Sequence, residues 1–585
     1  MKQSSYSWLL QPLFEHANKY GYQGKELVTI HAVIAASTLQ QRKSIKQTEQ
    51  RMHRDELPPL PNKWRELAYH PLGALFRQAC AKEIATLIEK NTWKEIDRSS
   101  SQARPLPLKW VFAYKYDQDG YFVKCKARIC VRGDLQTKDS IDSTYATTLA
   151  ARSFRTVVAI AAQFDLELYQ YDVAGAFLNA SRRDQPQVLC ELPDGFKKPE
   201  KVVLLLQALY GLRDSPVLWY KELSSTLQAL GLTASKEEPC LFFDEERRIV
   251  LLFYVDDILL TYHNDDRATA EQLMSSLMGK YRIEDHGAAE WFLGVRIIRD
   301  RAARTITLAH DSYIEKLATK FNILEKGSFP SIPLPVGELR KYEGEASKQE
   351  VKAYQERVGS ILYTAIMIRP DVAYAASQLS HFLTNPGAAH FKAADQVIAY
   401  LYRTKHLGIR YGAHPGSQLL MCGDASFADD SETRRSSQGY IVQLFGGPII
   451  WKAARQATVT TSTTEAELLA LEHVAKESTA LKRFLNELRL SLGVAWEIFC
   501  DNQQTIRLVV EESERLTTRL RHVDIQNMWL KQEHAKGTFT VTYMKTSEMP
   551  ADGLTKALPK QAHERFLTHL NLYDMSHSTD RQGHK

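Results

Sequence analysis

At 585 residues the chain is too long for one hydrophobic core, and at about 100–200 residues per domain it should hold three or four domains. Its composition, 44% hydrophobic and 25% charged, is that of an ordinary globular protein, and a net charge of +6 is too small to argue for nucleic-acid binding without local clusters. Seven scattered cysteines with no CxxC pair exclude a disulfide framework or zinc knuckle and fit a reduced intracellular protein, and no apolar run approaches the roughly 18 residues of a membrane span, so neither a span nor a signal peptide is expected.

Residues 1–60 are polar and mixed, with a basic run over 40–54 and the Pro-rich DELPPLPNKW, and read as a flexible, solvated linker or tail. The helical spacing of ALFRQACAKEIATLIEK predicts a helix over 74–90, stopped by NTW. KWVFAYKYDQDGYFVKCKARICVRGD predicts a hairpin turning at Asp119-Gly120. Alternate strand residues share a face, so Lys124, Lys126 and Arg128 project together and suit a triphosphate or a nucleic-acid backbone. Taken alone, such a face is more often just solvated. A helix over 153–164 precedes YQYDVAGAFLNA, which places Asp172 at a strand end before Ala174-Gly175-Ala176 and Phe177; by itself this is an unremarkable strand-end aspartate. LLLQALYGLRDSPVLWYKELSSTLQALG reads as a strand, a Tyr210-Gly211 turn and a helix starting near Ser215-Pro216, where a proline's missing N–H costs nothing.

IVLLFYVDDILLTY predicts two strands, 250–255 and 258–262, with Asp256 and Asp257 at or near the hairpin tip. Adjacent aspartates in so apolar a segment are costly unless a cation neutralises them. Divalent metal is the natural candidate, since two ions about 3.5–4 Å apart clamp the attacking and leaving oxygens of phosphoryl transfer. The competing reading is a plain Asp-Asp turn on a surface hairpin. Beyond it come an amphipathic helix over 267–281, a strand at WFLGVRII, and a mixed, mainly helical stretch over 300–411 with helical spacing at 352–364, 371–382 and 390–403.

From 418 the periodicity resets. LLMCGDASFADD gives a strand ending near Asp424; GYIVQLFGGPIIWKA gives two strands across Gly446-Gly447; TSTTEAELLALEHVAKESTALKRFLNEL gives a long helix. AWEIFCDNQQTIRLVV runs from strand to helix at Asp501-Asn502, and VTYMKTSEMPADGLTKAL is a strand, a loop and a helix starting at Asp552. Three strands, helix, strand and helix is the order of an RNase H-type α/β domain, with Asp424, Glu467, Asp501 and Asp552 at strand ends or helix starts. Each acid has a capping explanation: Thr464 with Glu467 and Ser462 with Glu465 both meet the capping-box spacing, and Asp501 and Asp552 could be N-caps. Jointly, the four fit a two-metal nuclease centre. Arg434-Arg435 and the Arg515, Arg519, Arg521 group are candidate phosphate contacts for a hybrid read by shape and 2′-hydroxyls, or simply solvated arginines.

The runs KWVFAYKYDQDGYFVKCKARI, YDVAGAFLN, LYGLRDSPVLWY, YVDDILL, FLGVRI and VGSILYTAIMIRPDVAYAASQLS resemble, in order, the reverse transcriptase of copia-type LTR retrotransposons. DASFAD, TRRSSQGY, STTEAELLAL, CDNQQTI, RHVDI and ADGLTKAL resemble the RNase H of the same family. The resemblance implies an α+β multidomain fold: a right-hand polymerase (fingers and palm over 61–300, thumb or connection over 301–411), an α/β RNase H-like domain over 412–560, and a C-terminal tail over 561–585. It implies that Asp172, Asp256 and Asp257 are the metal-binding polymerase triad, that Phe177 excludes the nucleotide 2′-hydroxyl, that Arg128, with Lys126 beside it, touches the triphosphate, and that Tyr210-Gly211 lines the nucleotide pocket. Phe292, Leu293 and Gly294 would lie in the primer-gripping hairpin, with Arg434 and Arg435 on the hybrid. Glu467 is chosen over Glu465 because Leu-Leu-Ala follows it, as in the family's ELxA pattern. Two departures are Ala174-Gly175, where the family usually has a Lys-Thr type pair, and Arg132-Gly133, where it has lysine-glycine.

The expected function is RNA-directed DNA synthesis by two-metal nucleotidyl transfer with RNase H cleavage of the RNA strand. The expected ion is Mg²⁺, two per site with Mn²⁺ as an alternative, because all-oxygen ligands that leave room for waters suit it. Expected partners are an RNA template, a DNA primer, their hybrid, dNTPs, a Gag particle and integrase, with no membrane. Location by family analogy is cytoplasmic particles with nuclear entry. No Gag-like region, protease motif or complete integrase is found, and ADGLTKAL with a short tail looks like the end of such a polyprotein. The rival reading is a degenerate or co-opted element that binds nucleic acid without polymerising; the presence of all seven carboxylates argues against it.

Overall fold

The structure, a computed structural model, describes residues 52–117, 120–136, 146–327, 329–412, 418–514, 516, 518 and 520–577. The expected turn residue Asp119, the candidate phosphate contacts Arg515 and Arg519, and most of the expected 1–60 linker lie outside the described residues. The chain divides into two compact units, residues 1–146 with 175–225, and residues 147–174 with 226–585. No helix among the described residues is long and apolar enough to cross a membrane.

In the first unit, helix Gly73–Glu89 packs on the antiparallel hairpin of Leu108–Tyr116 and Phe122–Val131. Cys125, Ala127, Ile129 and Val131 alternate into the core, which leaves Lys124, Lys126 and Arg128 on the opposite face, as the two-residue period requires. A second sheet joins Trp93–Asp97, Lys201–Leu205 and Leu189–Glu191. The expected flexible linker ends earlier than residue 60. Met52 O accepts from Phe122 N, Arg54 N donates to Gly120 O, and Pro58 O accepts the Tyr114 hydroxyl at 3.0 Å. Residues 52–58 thus edge the hairpin, because its open strand end offers backbone partners that a polar segment satisfies.

The second unit opens with a six-stranded antiparallel sheet, in the order Ile283–Ala288, Glu167–Val173, Asp257–Tyr262, Ile249–Tyr254, Leu241–Phe243, Thr233–Ala234. Its central pair reads as unbroken apolar runs because both faces are covered; Leu251, Leu252, Ile258, Leu259 and Leu260 are all fully buried. WFLGVRII is not one strand. Trp291–Phe292 and Val295–Asp300 pair across Leu293 (φ 51°) and Gly294 (φ 71°), a two-residue turn whose positive φ values match the strand twist. This hairpin begins a five-stranded sheet that continues through Thr305–Ala309 and Leu407–Gly412 to Leu572–Asp574. Helices Asp311–Lys320, Lys348–Met367, Ala373–Ser380 and Ala388–Arg403 pack into one core between these strands in sequence.

The third sheet has the order Gly447–Arg455, Ser437–Leu444, Leu419–Ser426, Glu497–Cys500, Thr540–Tyr543. Its first three strands are antiparallel and its last two join in parallel, with helix Thr463–Glu487 laid on it. Two expectations are corrected here. Asp552 begins no α-helix but sits in the 3₁₀ turn Pro550–Leu554. Of the expected tail over 561–585, residues 561–577 are integral and 578–585 lie outside the described residues: helix Lys560–His569 leads to Leu572–Asp574, which pairs with Leu407–Gly412, and the Tyr400 hydroxyl meets His563 Nε2 at 2.8 Å.

Candidate active sites

The first centre is built by strand register. Asp257 opens its strand directly opposite Asp172, and on the other side Asp172 faces Glu284. Cross-strand neighbours stand about 5 Å apart at Cβ, where like charges repel. Burial, then Asp256 and Asp172, push the Asp257 carboxyl up to about 6, opposed by a hydrogen bond from Gln170 and by His286. The tip itself is Val255-Asp256. Val255 sits at φ 58°, a conformation that a β-branched residue adopts only when its surroundings impose it. One restraint is visible: Val173 N donates to Asp256 O at 2.8 Å, tying the turn to the strand that carries Asp172.

The expected nucleotide residues belong to the first unit, the aspartates to the second. Within the first unit the Arg128 guanidinium lies 5.4 Å from the Tyr210 ring centre, and Phe177 meets the same ring edge-on at 5.1 Å. Tyr210 O accepts from Val131 N at 2.7 Å. Gly211 is at φ 89°, and a Cβ there would fall 2.2 Å from Val131 O, so only glycine fits the turn that presents Tyr210. Lys126 shares the Arg128 face. Of the hairpin expected to grip the primer, Phe292 is 1% exposed and packed on Phe154, so it cannot offer a surface to a duplex. Leu293 and Gly294 form the accessible turn, held by the Tyr363 hydroxyl donating to Leu293 O at 2.7 Å.

The second centre gathers four acids from four elements. Asp424 lies on the central strand, opposite Gly439. A Cβ on Gly439 would meet Leu554 Cβ at 2.5 Å, so this glycine lets the Pro550–Leu554 turn, with Asp552, lie over the strand. Thr555 Oγ1 donates to Asp424 Oδ2 at 2.5 Å, and Thr546 Oγ1 to Asp501 Oδ2 at 2.7 Å. Burial, with Asp501 and Asp552 nearby, raises the Asp424 carboxyl to about 6 despite the Thr555 bond. Burial, then Asp424 and Asp501, raise Glu467 to about 9.

The capping alternatives separate cleanly. Glu465, not Glu467, takes part in the helix start: Ser462 Oγ accepts from Glu465 N, and the Glu465 carboxylate accepts from Thr461 N and Oγ1 at 2.6 and 2.8 Å. Asn502, not Asp501, caps helix Gln503–Val510 by accepting from Thr505 N at 2.9 Å. Both freed acids turn to the cluster. Glu467 Oε2 is buried with no hydrogen-bond partner, an orphaned carboxyl oxygen that a divalent cation would satisfy once the proton is displaced, so this donor set fits the expected ion.

Sequence reasoning missed Lys556, which ion-pairs with Asp552, as well as the two threonines and Cys500. The four-residue spacing of Asp552 and Lys556 was the available signal for the first. Arg434 is exposed and Arg435 half-buried in the loop before Ser437, where Asp430 O accepts from Arg434 N at 2.8 Å.

A family model described as reverse transcriptase (RNA-dependent DNA polymerase) matches residues 90–334. The chain is 33% identical over 519 residues to the retrovirus-related Pol polyprotein from transposon TNT 1-94 of Nicotiana tabacum, covering 86% of this chain and 38% of that protein. It is 29% identical over 502 residues to the Pol polyprotein from transposon RE1 of Arabidopsis thaliana, covering 85% and 34%. A putative transposon Ty5-1 protein of Saccharomyces cerevisiae is 30% identical over 312 residues, which is 52% of this chain and 99% of the yeast protein. The chain thus spans little more than a third of the two plant relatives.

Proposed function

Because this chain belongs to the copia-type retrotransposon Pol family of reverse transcriptases, we propose that it copies RNA into DNA at Asp172, Asp256 and Asp257. We propose further that Asp424, Glu467, Asp501 and Asp552 cleave the RNA strand of the resulting hybrid. The observation that carries the polymerase reading is the direct apposition of Asp257 and Asp172 across adjacent strands, beside a turn tip clamped to the same strand. Such crowding of anions is costly in a bare protein and useful to one that binds cations.

Asp172, Asp256 and Asp257 would hold Mg²⁺ in the first centre, and the four acids of the C-terminal sheet would hold it in the second. When bound, the ions supply charge neutralisation for in-line displacement at phosphorus, and Mn²⁺ could replace them. The residues' own work is positioning. Val173 N and the strand register fix where the aspartates stand; Thr555 and Thr546 orient Asp424 and Asp501; Arg128 offers charge to a triphosphate, and Phe177 on Tyr210 offers a rigid face to a sugar. Template RNA, DNA primer, hybrid and dNTPs are the proposed partners, and Gag particles in the cytoplasm the proposed setting. Extension of oligo(dT) on poly(rA) with Mg²⁺ is the test, repeated with Asp256→Asn. Incorporation that disappears in the variant supports the reading; failure of the intact protein to extend while it still binds hybrid sinks it.

A further inference from the structure

A thiol shares the second centre. Cys500 ends strand Glu497–Cys500 and is 1% exposed. Its Sγ, one carboxylate oxygen of Glu467 and one of Asp501 all lie within 4.8 Å of one another. Cys500 could be there for packing alone, since Asn502 N donates to its Sγ at 3.4 Å. What goes beyond packing is Glu467, 8% exposed, whose Oε2 is buried in the same place without a donor.

We propose that Glu467, Cys500 and Asp501 form a binding site for a soft or borderline divalent cation of the zinc or cadmium class, distinct in preference from the hard ion suited to the carboxylates alone. A tetrahedral ion with bonds of about 2.0–2.3 Å spaces its donors about 3.5 Å apart. Donors already within 4.8 Å need a closing shift on the order of 1 Å, and Asp501, held on one oxygen by Thr546 but only half-buried, is the least enclosed of the three. Sulfur decides the selectivity: thiolates favour soft and borderline ions, whereas Mg²⁺ takes an octahedral shell of oxygens and waters. On binding, the S–H bond breaks, the sulfur–metal bond forms, and the proton leaves to solvent. An ion held this way occupies two of the four acids proposed for hydrolysis, so it would block that centre. The site itself rests on the cluster geometry and not on the nuclease reading.

The test is a cadmium titration of the full chain in Mg²⁺-free buffer, followed by the ultraviolet cadmium–thiolate charge-transfer band and by thermal melting. Wild type should show a saturable band and a rise in Tm. Cys500→Ser should lose both, with cadmium affinity falling by more than the roughly tenfold to be expected from losing an outer partner. Asp501→Asn keeps the thiol and alters only a half-buried position; its cadmium binding should weaken as well. A band unchanged in Cys500→Ser, which would assign it to another of the seven cysteines, overturns the proposal, as does cadmium binding unaffected by Asp501→Asn. Neither readout involves cleavage. A Cys500-dependent band in a protein that never cuts hybrid would uphold the site and refute the nuclease function separately.

Discussion

Replacing Asp257 by asparagine should stabilise the metal-free protein while ending DNA synthesis. In the folded chain burial, with Asp256 and Asp172 adding to it, raises the Asp257 carboxyl from 3.8 to about 6. At about 1.4 kcal/mol per unit this is about 3 kcal/mol at most, since part of the carboxyl still meets water. Between these two values the folded state holds a proton that the unfolded state has released, so stability falls as pH rises through the window and the penalty is complete above about 6. Asparagine has no charge to lose. Melting should be compared by calorimetry in EDTA at about pH 8 and about pH 4. The variant should melt higher at the upper pH, by an amount on the order of 5 °C if a few kcal/mol act on a domain of ordinary size. The gain should vanish at the lower pH, where wild-type Asp257 is protonated too. Saturating Mg²⁺ should narrow or reverse the difference, because only wild type gains the full binding energy. A variant that melts lower than wild type in EDTA at pH 8, or whose gain is equal at both pH values, would refute the claim that Asp257 is held there against charge repulsion.

Glu465→Gln should cost about 1 kcal/mol of stability through the weakened helix start and leave hybrid cleavage intact, whereas Glu467→Gln should abolish cleavage; the opposite pattern in an RNase H assay would overturn the assignment. Since Glu467 titrates near 9 and Asp424 near 6 in the metal-free cluster, Mg²⁺ must displace protons to bind there. Its apparent affinity should climb between about pH 6 and about pH 9, with proton release measurable by calorimetry in buffers of different ionisation enthalpy, and a flat profile would contradict it. Arg155→Met removes a buried guanidinium that donates to Ile449 O, Ile366 O and Met367 O at 2.8, 2.6 and 2.9 Å and stacks on Trp451. At about 1.5–3 kcal/mol per charge-assisted bond, less what relaxation recovers, its Tm should drop by several degrees, and a shift under about one degree would show the bonds to be dispensable. Phe177→Ala should raise ribonucleotide incorporation relative to dNTP in primer extension; unchanged discrimination would remove Phe177 from that role.

The sequence made the central hairpin legible because its two apolar runs have no other use, yet it misplaced the turn by one residue. Valine's strand propensity puts Val255 in a strand; the register instead pairs Tyr254 with Asp257 and forces Val255 to φ 58°. Leu293 misled in the same way, since an apolar residue between strand formers carries no mark of a positive φ. Leu572–Asp574 could not be read at all. It is three residues long and acquires its identity only from Leu407–Gly412, far upstream. Of the seven acids singled out, the four in the C-terminal sheet each also had a capping explanation. Only side-chain direction separates Glu465 from Glu467 and Asp501 from Asn502. Cys500 and Lys556 were missed for a related reason: their neighbours come from other strands and turns, and no local spacing encodes that.

Both centres solve one physical problem with different means. Each crowds acids that repel, and each therefore needs a scaffold stiff enough to hold them together. In the first, the sheet does this through register and a clamped turn. In the second, a glycine admits the Asp552 turn, two threonines hold Asp424 and Asp501, and a long helix brings Glu467. That helix, Thr463–Glu487, is itself anchored on segments flanking the sheet of the first centre, away from its aspartates: Arg152 pairs with Glu477 at 2.7 Å, Ser235 Oγ donates to Glu487 at 2.5 Å, and Arg247 donates to Glu487 O at 2.7 Å. Glu467 and Glu487 are twenty residues apart, about 30 Å along a helix rising about 1.5 Å per residue. The element that delivers an acid to one centre is thus a strut footed beside the strands of the other. A packed helix with both ends fixed transmits displacement rather than absorbing it, so loosening its foot at Glu477 or Glu487 should disturb Glu467 without touching any acid of either cluster.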